Sequence, residues 1–323
     1  MLKAFFAQSR GFSIAALVLA ALSTSLVACS GAAEKDSGEE EKPSKPGKRE
    51  NTADGPSGPT DSPTQGDDPV TPPPAPPAAP LIYAHTADTL YTFDATAKSL
   101  AEIGKLSCLS EGDRLLDIAV DGKGAVFGTT DEAFIAVNPA DATCTRIIAK
   151  DNLPNSLSFV PAGTLDATSE ALVGYAFDAQ AKAVRYVRID TTNGNMTEIG
   201  LLNPASATKK YTSSGDIFSV HKDGDKTYLT VREDPSTGSP DMLAEIDPKT
   251  GTIKSMVGNT LQRDIWGLAY WGGKAYGFSG DGNVTEINVQ TGVSNLVTTL
   301  KDKDNVAVPW FGAGVTTEAP TTR

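Results

Sequence analysis

The chain has 323 residues and a formal charge of −12, with 39% hydrophobic and 7% aromatic residues. So acidic a balance excludes a protein that tracks nucleic-acid phosphates, which needs a basic stripe, and fits an anionic surface kept soluble by repulsion. Two histidines and three cysteines leave little material for a metal centre built on those ligands.

The first residues read as an export signal. Lys3 and Arg10 give a positive start, and Phe12 through Leu22 form an apolar run too short to span a bilayer. The run leads into Leu26-Val27-Ala28-Cys29-Ser30, which resembles a bacterial lipobox. The resemblance implies that residues 1–28 are removed and that Cys29 becomes the lipidated first residue. It also implies outer-membrane placement where the cell has an outer membrane, because Ser30 stands where inner-membrane lipoproteins tend to carry Asp. Two or more acyl chains, at ~0.8 kcal/mol per buried CH₂, make a stable anchor. The other reading is an ordinary signal peptide with a chance cysteine.

Residues 29–80 read as a disordered tether. Mixed charge at Glu34-Lys35-Asp36 gives way to Pro, Gly, Ser and Thr, ending in Pro72-Pro73-Pro74-Ala75-Pro76-Pro77. Such a segment has too few aliphatic side chains to offset the entropy of ordering, and its proline-rich end is an extended spacer. Composition changes at Leu81. From there to residue 316 short strands recur between Gly, Asp, Asn, Pro and Thr with no sustained helical period, which predicts one all-β domain; residues 317–323 read as a tail.

One hairpin repeats through this domain. Its turns begin at Asp94, Asn138, Asp190, Asp247 and Asn288, between 41 residues (Asp247 to Asn288) and 57 residues (Asp190 to Asp247) apart. In Asp247-Pro248-Lys249-Thr250-Gly251, Asp bonds the backbone ahead of it, Pro presets φ and Gly supplies a positive φ. A second hairpin precedes each of the last four: Asp117–Val120 into Ala125–Gly128, Ser156–Phe159 into Thr164-Leu165, Asp216–Val220 through Asp223-Gly224 into Thr227–Leu229, and Gly267–Tyr270 into Ala275–Phe278. Four strands at this spacing make a propeller blade. The first unit lacks its opening strand, and Val306–Gly312 remains over at the other end. That segment is expected to complete the first blade and close a five-bladed β-propeller, which removes exposed edges. An open β-sandwich of the same hairpins is the alternative.

The pattern resembles uncharacterised secreted bacterial propeller lipoproteins. The residues that carry it are Asp117-Ile118-Ala119-Val120-Asp121 with Gly124, Ser214-Gly215-Asp216, Gly267-Leu268-Ala269 and Tyr276-Gly277. The resemblance implies fold and location rather than activity. The third blade departs from it, with Ser156 where Asp117 and Asp216 stand, and the fourth carries an insertion around Glu233 to Asp241.

Cys108 and Cys144, an even pair in an exported domain, are expected to form a disulfide worth roughly 3–4 kcal/mol in the loop-entropy account, against the alternative of two free thiols. Catalytic signals are sparse. His85 and His221 fall in different blades, no Ser-His-Asp order or His-x-x-x-His pair occurs, and Asp223-Gly224-Asp225 is no complete calcium loop. One constellation stands out: Asp117, Ser156, Asp216 and Gly267 occupy equivalent positions near the starts of the innermost strands. Two carboxylates there would hold a cation or contact a ligand, or would accept backbone N–H bonds and lock the strand starts. Trp266, Tyr270, Trp271 and Trp310 gather in the last blade and closing strand, and offer either a sugar-stacking surface or core. The reading is a monomeric, lipid-anchored envelope lipoprotein without cofactor that displays a non-catalytic propeller to a protein or glycan partner. The alternative is a propeller hydrolase or lyase with calcium or another channel cation at Asp117 and Asp216.

Overall fold

The computed structural model describes residues 82–235 and 238–322, with the backbone alone at 222 and 223. The expected signal segment, Cys29 and the tether lie outside the described residues.

Blade 1 contains β1 (Ile82–His85), β2 (Thr89–Asp94) and β3 (Ser99–Lys105). Blade 2 is β4 (Leu115–Val120), β5 (Val126–Thr130), β6 (Ala133–Val137) and β7 (Cys144–Ala149). Blade 3 is β8 (Leu157–Val160), β9 (Ala171–Asp178), β10 (Ala183–Ile189) and β11 (Met196–Leu201). Blade 4 is β12 (Lys210–Val220), then one helical turn α1 (Lys222–Asp225), β13 (Lys226–Asp234), β14 (Met242–Ile246) and β15 (Ile253–Asn259). Blade 5 is β16 (Ile265–Trp271), β17 (Lys274–Ser279), β18 (Asn283–Ile287) and β19 (Ser294–Thr299). The last strand, β20 (Gly312–Gly314), returns to blade 1. Each blade is an antiparallel sheet of four strands, and blade 1 has the order β20-β1-β2-β3. The protein is a five-bladed β-propeller closed by its C-terminal strand.

Burial falls from axis to rim. The inner strand β8 is buried at every position, because blades flank both its faces, and so it reads as the unbroken run Leu-Ser-Phe-Val. The outer strand β15, Ile-Lys-Ser-Met-Val-Gly-Asn, is never fully buried, and polar residues suit it. Between blades the core is aromatic where the ring closes: Phe93 of blade 1 lies 5.3 Å from Tyr276 and 5.7 Å from Phe278 of blade 5. Each such side chain taken from water contributes roughly 1.5–3 kcal/mol.

The repeated turn works as its residues dictate. Oδ1 of Asp94, Asn138, Asp190, Asp247 and Asn288 each accepts the N–H two residues ahead, at 2.7–3.2 Å. The left-handed position falls on Gly251 (φ 70°), whereas blade 2, with no glycine there, puts Ala142 (φ 59°) in the same conformation. The turn also joins neighbouring blades. A Cβ at Gly200 would lie 1.9 Å from the carbonyl oxygen of Thr250, so the turn of blade 4 seats on the glycine of blade 3. Cys108 and Cys144 are bonded, with Cα atoms 5.3 Å apart, tying the chain after β3 to the start of β7.

Two strand placements need correction. The partner of β8 is Ala171–Asp178, not Thr164-Leu165, which sits in the turn-rich connection. The closing strand is Gly312–Gly314 rather than Val306–Gly312: Gly312 pairs with His85, Ala313 with Ala84 and Gly314 with Tyr83. Residues 301–307 instead fold back on themselves, with a bridge between Lys301 and Ala307 and a bond from Val308 N–H to the Leu300 carbonyl. Pro309 donates nothing to a ladder, and Trp310 breaks away to bury its indole. Thr317 and Ala319 are buried and Thr317 and Pro320 bond to the blades, so 317–320 pack on the domain rather than trail as a tail.

Candidate functional site

Five equivalent residues meet at the axis, one from each inner strand: Gly312 (β20), Asp117 (β4), Ser156 (just before β8), Asp216 (β12) and Gly267 (β16). All five are buried. The two aspartates latch one blade to the next. Asp117 Oδ2 accepts the N–H of Leu157 at 2.5 Å, and Asp216 Oδ2 accepts that of Leu268 at 2.8 Å while its Oδ1 takes Ile217 N–H at 2.6 Å. Ser156 turns to its own blade, where its hydroxyl accepts the N–H of Tyr175 at 3.3 Å. Glycine is required at the remaining two positions by close approach. A Cβ at Gly267 would lie 2.6 Å from the carbonyl carbon of Gly312, and one at Gly312 would lie 2.3 Å from both Asp117 Oδ1 and His85 Nε2.

His85 thus belongs to the axis. Its Nδ1 lies 2.8 Å from the Thr86 carbonyl, which accepts, so Nδ1 carries the proton of the neutral ring. Nε2 faces Asp117 Oδ1 across 3.9 Å, too far for a hydrogen bond. Burial pushes the imidazole down to about 4. Burial raises both the Asp117 and the Asp216 carboxyl, reinforced at Asp117 by the charge of Asp216 nearby. Two carboxylates in one dry site cannot both ionise, so they share a proton. Further out, Asp241 joins blades 4 and 5 by accepting Ile265 N–H at 2.8 Å and Arg232 Nε–H at 2.9 Å. Burial pushes its carboxyl up to about 6, against those bonds.

One residue back along each inner strand, the axis opens. Leu116, Asn155, Gly215, Trp266 and Phe311 directly precede the five axial residues, and with Arg114 and Ser214 they line a hollow of about 250 Å³. Trp266 and Phe311 are partly exposed, with ring centroids 5.6 Å apart. Arg114 lies over the Phe311 ring at 5.9 Å and is held by Asp131 through Nε–H at 2.8 Å and a second N–H at 3.2 Å. Gly215 admits no side chain, since its Cβ would lie 1.9 Å from the Ile265 carbonyl oxygen of blade 5.

The opposite end of the axis is crossed by the chain after β20. His221 N–H bonds to the Thr317 carbonyl and Gly272 N–H to that of Pro320, at 3.0 and 2.7 Å. Glu170 accepts both the Thr317 hydroxyl and, at 2.6 Å, the Gly122 N–H. A hollow of about 460 Å³ lies beside this strap, edged by Asp121, Lys123, Glu170, His221 and Glu318.

The residues singled out from sequence therefore part company. Asp117, Ser156 and Asp216 come together but are fully buried, so they do not line an open channel. Trp266 stands at the open end. Trp310 does not: it is buried, donates Nε1–H to the Gly282 carbonyl at 3.0 Å, and packs edge-on against Tyr91 and Phe278. His85, Gly312, Arg114, Asn155 and Phe311 were missed. The closing strand begins at Gly312, six residues after the expected Val306, and this register puts Gly312 beside Asp117 and Phe311 beside Trp266. His221 is half exposed and bonds Asp225 through Nδ1 at 2.9 Å. Among the described residues no group of three or more His, Cys, Asp or Glu is arranged to hold a metal.

No family model and no curated protein matches this sequence. Solved structures do resemble it. A protein of unknown function from Bacteroides caccae is 11% identical over 70% of this chain and 74% of its own, with a TM-score of 0.34. A protein from Lactobacillus plantarum is 14% identical over 72% and 71%, with a TM-score of 0.36. The Dos1 propeller is 10% identical over 70% of this chain and 57% of its own, with a TM-score of 0.35. At such values the likeness says nothing of function, and the propeller stands on the five sheets of this chain.

Proposed function

We propose that this chain is an exported bacterial lipoprotein whose propeller is a non-catalytic binding module, with a saccharide seated in the hollow at the open end of the axis. One observation carries the reading. The acidic pair, the best candidate for chemistry on the axis, is buried and committed to backbone N–H groups, whereas the layer above it is open and presents one residue from each blade. A partly exposed indole suits the apolar C–H face of a pyranose, and the Asn155 amide and Arg114 guanidinium are placed to bond hydroxyls. The hollow suits one sugar unit of a longer glycan. Export and anchoring rest on the lipobox-like Leu26-Val27-Ala28-Cys29 and the positive, short apolar segment before it.

Binding is tested by titrating the full chain with envelope-type oligosaccharides, following tryptophan fluorescence and heat. Trp266→Ala is expected to abolish binding, at least a hundredfold, and Asn155→Ala to weaken it about tenfold, a loss of one good polar contact. Equal affinity in wild type and Trp266→Ala would remove the seat from this hollow, and turnover of the bound glycan would overturn the non-catalytic reading. Anchoring is tested separately: Cys29→Ala should leave an uncleaved or released protein that incorporates no labelled fatty acid. Unchanged processing and membrane association in that variant would exclude the lipid anchor.

A further inference from the structure

The axis brings three titratable side chains from three blades into one buried cluster: His85 from β1, Asp117 from β4 and Asp216 from β12. The other inner strands present no charge there, since β20 contributes Gly312, β16 contributes Gly267, and Ser156 stands at the entry to β8. No Lys or Arg ion-pairs with either axial aspartate among the described residues; the one ion-pair partner in reach is the His85 ring, at 3.9 Å from Asp117 Oδ1. A charged His85–Asp117 pair would close to about 2.7–2.9 Å. Neither His85 Nε2 nor Asp117 Oδ1 has a hydrogen-bond partner within the protein. The geometry is that of a neutral imidazole beside a singly protonated acid pair. In the unfolded chain in mildly acidic water the assignment is reversed, because free imidazole holds a proton up to about pH 6.5 and free carboxyls lose theirs above about pH 4.

We infer that folding moves one proton from the imidazole of His85 to the Asp117–Asp216 pair, and that this proton joins β4 to β12 beside the ring-closing strand β20. The balance is simple: His85 gives up the Nε2–H proton that it carries in the unfolded chain, and the pair gains one O–H. Gly312 places β20 on the cluster, since its backbone leaves no room for a methyl group between His85 Nε2 and Asp117 Oδ1.

The pH dependence follows with a definite sign. A carboxyl raised by folding contributes stability that is present at low pH and lost as pH rises through its folded value. An imidazole lowered to about 4 does the reverse, contributing stability that is lost as pH falls from about 6.5 towards 4. Between about pH 4 and 6.5 the two slopes cancel, because folded and unfolded chains each hold one proton in this cluster. Above about pH 6.5 the unfolded chain holds none and the folded chain one, so the unfolding constant gains a factor of about ten per pH unit until the pair ionises. The domain is therefore built to be firm in mildly acidic surroundings and to loosen at its axis in alkaline ones.

The test uses the full chain. With only two histidines in the sequence, the imidazole nitrogen spectra are resolvable. His85 is expected to be neutral with the proton on Nδ1 at pH 5.5, and carboxyl-carbon spectra at pH 6.5 are expected to show one protonated aspartic acid. Urea unfolding from pH 5 to 8.5 should show the added tenfold-per-unit rise above pH 6.5 in wild type and its loss in Asp117→Asn, whose amide imitates the neutral acid. An imidazolium at His85 at pH 5.5, two ionised carboxyls at pH 6.5, or the same alkaline slope in Asp117→Asn would each overturn the inference. Should Asp117→Asn not fold, the two spectra of the wild-type chain decide it alone.

Discussion

The two ends of the propeller axis are made by the same five strands, yet one is strapped and the other open. At the strapped end Thr317 and Pro320 accept N–H bonds from His221 and Gly272, and Glu170 reaches across to Gly122 and Thr317. Blades 2, 3, 4 and 5 are thus joined to the strand that completes blade 1. At the open end the preceding residues Leu116, Asn155, Trp266 and Phe311 face one another without such a strap. The difference separates two tasks. Ring integrity is secured where backbone bonds can be made across blades, and side chains at the other end are left to meet a ligand.

The largest expected effect comes from removing what closes the ring. Deleting 306–323 takes away Trp310, β20 and the strap, exposing the edge of β1 and the apolar surface around Tyr91 and Phe278. Cooperative thermal unfolding of the domain should be lost; a melting temperature equal to wild type would refute closure by β20. Deleting only 316–323 keeps β20 and should lower the melting temperature by several degrees while leaving one sharp transition. A middle effect is expected for Glu170→Ala, about 1–2 kcal/mol, since two bonds go, the Thr317 donor is buried and the Gly122 donor is exposed. The smallest belongs to the open end. The Asn155→Ala variant that weakens binding should change stability by no more than about 0.5 kcal/mol, because that side chain is exposed. A greater loss from Asn155→Ala than from Glu170→Ala in denaturant unfolding would reverse the division of tasks.

Much of this could be read from the chain without its fold. The five turns beginning at Asp94, Asn138, Asp190, Asp247 and Asn288 announce blades because their chemistry is local: a side-chain oxygen bonds an N–H two residues on, and a glycine takes a positive φ. The Cys108–Cys144 bond was legible because two cysteines at neighbouring blade edges had one evident partner each. Equivalence of Asp117, Ser156, Asp216 and Gly267 followed from strand alignment, and so did the option that the aspartates serve as backbone latches.

Only the tertiary structure could decide the rest, since it depends on distance rather than order. Val306–Gly312 has the composition of a strand, yet Trp310 gains more by burial against Tyr91 and Phe278 than by joining a ladder, so pairing begins at Gly312. That shift of register turned Trp310 from a site residue into core and brought Phe311 to Trp266 at the open end. His85 lies far from Asp117 in sequence and 3.9 Å from its carboxyl in space, and its unpaired nitrogen is visible only there. Local turn chemistry set the number of blades; the closing of the ring set which side chains face a ligand and which share a proton.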